Sequence, residues 1–213
     1  MTYKVGYLVG SLSSTSINRL LAKALIRLAP AGLTFREIAF KDLPLYSPDL
    51  DANPPPAATA MKAAIAAADA LLIVTPEYNR SIPGGLKNAL DWASRPDEEN
   101  SLARKPSATI GTSPGGIGTA IAQQHLRGLL AHGNSPQMNA PEAFIQFKPG
   151  LITEDGQVTV ASTEKFLRTY IEAFSAFIDR HYRALPRTKP ELIEPPSRRA
   201  RGRRQLTPQA DGS

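Results

Sequence analysis
The sequence predicts an α/β protein built on a five-stranded, doubly wound parallel sheet with helices on both faces. Two observations carry this. Strand-like and helix-like stretches alternate along residues 3–184, and such alternation implies parallel strands joined by right-handed crossovers. The stretch Ala70-Leu71-Leu72-Ile73-Val74-Thr75 is apolar at nearly every position, which suits a strand covered on both faces.

The elements follow in order. Tyr3–Val9 reads as a buried first strand, ended by Gly10 and a serine-rich turn. Leu20, Leu21, Ala24, Leu25 and Leu28 recur at helical spacing, opposite Arg19, Lys23 and Arg27, and Pro30 and Gly32 stop that helix. Leu33–Ala39 is the second strand, 40–56 a proline-rich loop, and Ala57–Ala68 an alanine-rich helix. After the third strand and a polar loop comes a helix over about Gly84–Ala93, with Leu86, Ala89, Leu90 and Trp92. Pro106–Thr112 supplies a fourth strand, Gly118–Ala131 a helix, Pro136–Phe144 contains the fifth strand, and Ser162–Ala184 is a long closing helix.

Composition narrows the function classes. The 213 residues fit one domain, and 42% are hydrophobic, enough for a core. The absence of cysteine excludes disulfides, thiolate zinc sites, iron–sulfur clusters and a cysteine nucleophile, and agrees with a reducing compartment. No secretory pattern precedes the first strand and no apolar run is long enough to span a membrane, so a soluble, cytoplasmic protein is expected. The net charge of +6 is concentrated at the end: residues 187–213 hold 7 Lys/Arg against 3 Asp/Glu, a net of +4. With prolines and few apolar residues, that segment reads as a solvated, disordered tail beyond a domain of residues 1–186. The near-neutral remainder gives no electrostatic case for nucleic-acid binding, and no membrane partner is expected.

On a doubly wound sheet, ligands bind beyond the carboxyl ends of the strands, at the loops over residues 10–18, 76–84 and 112–118. The first, Gly10-Ser11-Leu12-Ser13-Ser14-Thr15-Ser16-Ile17-Asn18, combines a tight turn, several hydroxyls and the start of a helix, with Ser16 as its N-cap. Unpaired N–H groups and the helix dipole suit a single buried phosphate. No GxGxxG or Walker pattern is present, and the same residues also suit an ordinary capped turn. In the second loop, Pro76 and Pro83 stiffen the backbone around Glu77, Tyr78 and Asn79, an arrangement suited to reading the edge of a flat heterocycle. The third, Thr112-Ser113-Pro114-Gly115-Gly116-Ile117-Gly118, admits close approach of a ligand and equally fits a plain turn. Tyr46 suits either a pocket wall or a loop anchor. His125 and His132 share one helix without a carboxylate pattern, and no metal site is expected.

The three loops, in this order, resemble the NADPH-dependent FMN reductase family, which includes quinone, azo-dye and chromate reductases. The resemblance runs over roughly residues 3–180. It is strongest in 10–18 and in Pro76-Glu77-Tyr78-Asn79, continuing through Leu86-Lys87-Asn88-Ala89-Leu90-Asp91-Trp92. It implies a flavodoxin-like fold, non-covalent FMN, NADPH or NADH as co-substrate, and homodimers or homotetramers. It places Ser11, Ser13, Ser16, Ile17 and Asn18 around the phosphate. Pro76, Glu77, Tyr78, Asn79, Ser113, Gly115 and Gly116 would border the isoalloxazine. Ser13 stands where the family commonly has arginine, so a charge-assisted contact of ~1.5–3 kcal/mol is missing unless Arg19 or another chain's cation substitutes. The implied chemistry is hydride transfer from NAD(P)H to flavin N5, then reduction of a small-molecule acceptor in a ping-pong cycle, with no side chain as nucleophile or acid. Two other readings stay open: a non-enzymatic FMN electron carrier or redox sensor, and a flavin-free protein working through its basic tail.

Overall fold
The computed structural model describes residues 1–184; the basic segment 187–213 and the domain limit at 186 lie outside the described residues. Strands β1 (Tyr3–Val9), β2 (Leu33–Glu37), β3 (Ala70–Val74), β4 (Ser107–Ser113) and β5 (Phe144–Gln146) form one parallel sheet in the order β2-β1-β3-β4-β5. The helices are α1 (Ile17–Leu28), α2 (Pro56–Ala66), α3 (Gly84–Ser94), α4 (Ala120–His132) and α5 (Ala161–Ala184).

Alternation along the strands divides the core into two layers, because successive side chains point to opposite faces. Ala70, Leu72 and Val74 of β3 join Leu21 and Leu25 of α1 and Leu167, Ile171 and Phe174 of α5. Leu71 and Ile73 join Met61 of α2, Leu86 and Trp92 of α3 and Leu126 of α4. All five β3 residues are buried, which explains the unbroken apolar run. Tyr170 of α5 donates from its hydroxyl to Thr109 O at 2.8 Å, and burial pushes that phenol far above its ordinary pKa.

Two expectations need correction. The second strand ends at Glu37 rather than Ala39, although Ile38 N still donates to Tyr7 O at 2.8 Å. The fifth strand is not within 136–144 but starts at its last residue. Gln137 makes only an isolated bridge to Ser107. Pro136 and Pro141 offer no N–H to a ladder, so regular pairing with β4 waits until Phe144.

Register brings the strand ends together. Val9 pairs with Val74, Val74 with Ile110, and Ser113 with Gln146, so the loops after β1, β3 and β4 leave the sheet side by side. The approach is close at Gly10, where a Cβ would lie 2.6 Å from Thr75 Oγ1.

Candidate functional site
A cleft of about 230 Å³ opens between these three loops. From the first loop, Ser11, Ser13, Ser16, Ile17 and Asn18 line it, and from the second, Pro76, Glu77 and Tyr78. Ser113 contributes from the third. Asn79, Gly115 and Gly116 are not among its lining; Asn79 lies in a turn and the two glycines are exposed. Thr15, one of the first loop's hydroxyls, lines the cleft as well, and Thr112 and Pro114 line it with no separate indication in the sequence. Their types carry no signal of their own, and only their neighbours in the loops could have indicated them.

In the first loop the serines fold the backbone and remain able to donate. Ser11 Oγ accepts from Ser13 N, Ser13 Oγ from Thr15 N, and Ser16 Oγ from Arg19 N, each at 3.3 Å. A hydroxyl whose lone pair is taken by a backbone N–H has its own proton to give. Ser11 and Ser13 share hydrogen bonds with Tyr78 OH and Thr15 Oγ1 at 3.3 and 3.2 Å, contacts that either partner can donate. The N–H groups of Ile17 and Asn18 precede the first backbone bonds of α1, which begin with Arg19 N to Ser16 O. Hydroxyl protons and helix-start amides thus converge on one wall. That donor set fits a phosphate.

The Asn18 side chain has another role. Its Nδ2 donates to Thr112 O and its Oδ1 accepts from Thr112 N, both at 2.9 Å, with the residue 1% exposed. The amide therefore bolts the first loop to the third, and the Asn18 backbone N–H and the second Nδ2 proton are what it has left to give.

The second loop is held from outside. Glu77 Oε2 accepts from Ile121 N and Ala122 N at 3.0 and 3.1 Å, so its carboxylate caps α4 from a distance. Thr119, the local N-cap, makes no side-chain capping bond. Tyr78 and Ser81 exchange backbone hydrogen bonds of 2.9 and 3.0 Å around Asn79 (φ 51°) and Arg80 (φ 63°). Two consecutive positive φ values make this a two-residue primed hairpin turn. Ser81 Oγ lies 3.0 Å from His125 Nδ1 of α4, the one role the structure gives that histidine. Tyr46 is an anchor. Its backbone N donates to Asn88 Oδ1 at 2.9 Å and its ring meets Trp92 edge-on at 5.2 Å, while Trp92 Nε1 donates to Pro44 O. Among the described residues no cluster of three or more His, Cys, Asp or Glu could hold a metal, and no helix is long and apolar enough to cross a membrane.

Compared with known proteins, residues 3–150 match the NADPH-dependent FMN reductase family. The chain belongs to that family. The chain is 49% identical over 178 residues to a 2-hydroxy-1,4-benzoquinone reductase from a Burkholderia species, covering 84% of this chain and 97% of that one. It is 40% identical over 177 residues to a quinone reductase of Pseudomonas putida, covering 83% and 95%. Among solved structures it resembles the flavoenzyme NAD(P)H:(acceptor) oxidoreductase FerB from Paracoccus denitrificans, at 45% identity and a TM-score of 0.82, covering 84% of this chain and 99% of that one. The fold is flavodoxin-like, and the enzyme is an oxidoreductase using FMN and NAD(P)H. The hydroxyl-and-amide wall is the feature of this structure that fits FMN, through its phosphate.

Proposed function
We propose that the enzyme passes electrons from NAD(P)H to quinones or similar small acceptors, among them azo compounds and chromate, with both substrates using the same open cleft in turn. The observation that carries the acceptor class is the 49% identity to a benzoquinone reductase across nearly the whole of that relative. When bound, FMN supplies the redox chemistry, accepting a hydride and giving up its electrons to the acceptor. The residues supply position. Ser11, Ser13, Ser16 and the N–H groups of Ile17 and Asn18 hold the phosphate, while Pro76, Glu77, Tyr78 and Ser113 border the ring, flanked by Asn79, Gly115 and Gly116 from beyond the cleft's lining. Leu12, Tyr78 and Ile117, one from each loop, are about half exposed, and such an apolar rim suits a flat, poorly hydrated acceptor. An assembly of two or four copies and a cytoplasmic setting complete the reading.

The test is an anaerobic absorption experiment on the FMN-loaded protein. Bleaching of the ~450 nm flavin band by NADPH or NADH, and its return on adding benzoquinone, is the expected result. A band that no nicotinamide bleaches would favour an electron carrier or sensor instead. Steady-state rates forming parallel lines at varied quinone would support alternating use of one cleft.

A further inference from the structure
Among the described residues, the lining of the cleft contains no lysine or arginine, and its one charged side chain is Glu77. One guanidinium stands in the second loop and one in the first turn of α1, and each is paired with a carboxylate. Arg80 Nη1 lies 3.4 Å from Glu77 Oε1. Arg19, whose backbone N–H bonds Ser16 Oγ within the hydroxyl wall, turns Nη1 away to both oxygens of Glu37, at 2.9 and 2.8 Å. Glu37 ends β2, beside Tyr7, whose hydroxyl lies 3.4 Å from the same carboxylate. With both partners 37% exposed, the Arg19–Glu37 pair contributes little to stability. Its main physical effect is to neutralise a cation that stands in the first turn of α1, beside the hydroxyl wall.

We propose that this chain holds the FMN phosphate through neutral donors alone, and that Glu37 keeps the subsite neutral by withholding Arg19. The proposal rests on reading the cleft as the FMN site. Hydrogen bonds from hydroxyls and amides to an anion are weaker than those from a guanidinium, and they are less screened by salt than a full charge pair. FMN is therefore favoured over riboflavin, which lacks the phosphate, by a modest factor. Glu37 is a positioning residue, acting through Arg19 on cofactor discrimination.

The experiment is a fluorescence titration of the full-length chain, freed of flavin, with FMN and separately with riboflavin, at low and high salt. It compares wild type, Arg19→Gln, Glu37→Gln and the double variant, with thermal melts checking that each is folded. Arg19→Gln should leave FMN affinity within about twofold of wild type, since the guanidinium serves Glu37. Glu37→Gln should tighten FMN by about threefold or more at low salt, with riboflavin unchanged, and the gain should vanish at high salt and in the double variant. A tenfold loss of FMN binding in Arg19→Gln, with riboflavin unaffected, would overturn the proposal. So would a Glu37→Gln variant that binds FMN as wild type does. Steep salt dependence shared by wild type and Arg19→Gln would place a cation from elsewhere on the phosphate, and that too would overturn it. Failure of folded wild type to bind either flavin would instead sink the reading of the cleft as a flavin site.

Discussion

Loop 10–18 is folded largely by its own hydroxyls: Ser11, Ser13 and Ser16 each bond a backbone N–H two or three residues away. Loop 76–84 is folded by residues far along the chain. Glu77 bonds the start of α4, 44 and 45 residues on, and Ser81 meets His125 after another 44. A phosphate wall of short-range bonds can form as soon as α1 starts, whereas a ring-facing loop braced by α4 is in place only when the sheet and α4 have packed. Besides the 3.3 Å hydroxyl contact between Ser11 and Tyr78 of the second loop, the contrast has one exception. Asn18 ties the local loop to Thr112, 94 residues away, and so makes the phosphate wall answerable to the end of β4.

That exception is the sharpest place to break the comparison. Asn18→Ala leaves the buried Thr112 N–H and C=O without partners, at a cost of about 1–3 kcal/mol for each group. Urea denaturation is expected to show a loss of roughly 2–5 kcal/mol. Asn18→Asp keeps the acceptor for Thr112 N but sets a carboxylate against Thr112 O, so most of the loss should remain. A cost below about 1 kcal/mol for Asn18→Ala would mean that the first loop needs no brace and is autonomous in full.

The second loop is broken at Glu77. Its side chain is 7% exposed, and removing it strips a charged acceptor from the first turn of α4, where the helix dipole favours negative charge. Glu77→Ala should cost about 1.5–3 kcal/mol in the same measurement, and Glu77→Gln, which keeps an acceptor without the charge, distinctly less. Ile121 and Ala122 amide resonances should move in both variants while those of residues 11–16 stay in place. Movement in the first loop would show that the two loops are one unit.

The same contrast sets what could be read from the sequence. Ser16 as N-cap, the tight exit at Gly10 and the doubly buried β3 follow from residue type and near-neighbour spacing, and the structure shows each. The bracing bonds could not be read this way. Glu77 reads as a polar group offered to a ligand, and nothing near it in the chain indicates a helix start at residue 120 that lacks a side-chain cap. Asn18 reads as a phosphate donor because its neighbours are serines, yet its amide reproduces a backbone pairing with a strand end distant in sequence. The fifth strand starts only at Phe144, the last residue of the expected stretch, for a related reason. The apolar and polar pattern of 136–144 is compatible with a strand, but a ladder needs N–H donors, and Pro136 and Pro141 lack them.

The smallest effect tests whether the second loop's turn is set by its own residues or imposed by the bracing around it. Asn79 and Arg80 both take positive φ, and asparagine followed by glycine is the pair best suited to such a turn. Arg80 is the mismatch, since any Cβ is crowded in the left-handed region while glycine, which has none, enters it freely. Arg80→Gly removes that crowding. It also removes a contact to Glu77 made by a side chain 68% exposed, which contributes little. The greater freedom of glycine in the unfolded chain offsets part of the gain. The expected net is a stabilisation of up to about 1 kcal/mol, read as a small rise in Tm. A destabilised Arg80→Gly would mean that the Arg80–Glu77 contact helps hold the carboxylate on α4, and that the loop depends on its braces even for its tightest turn.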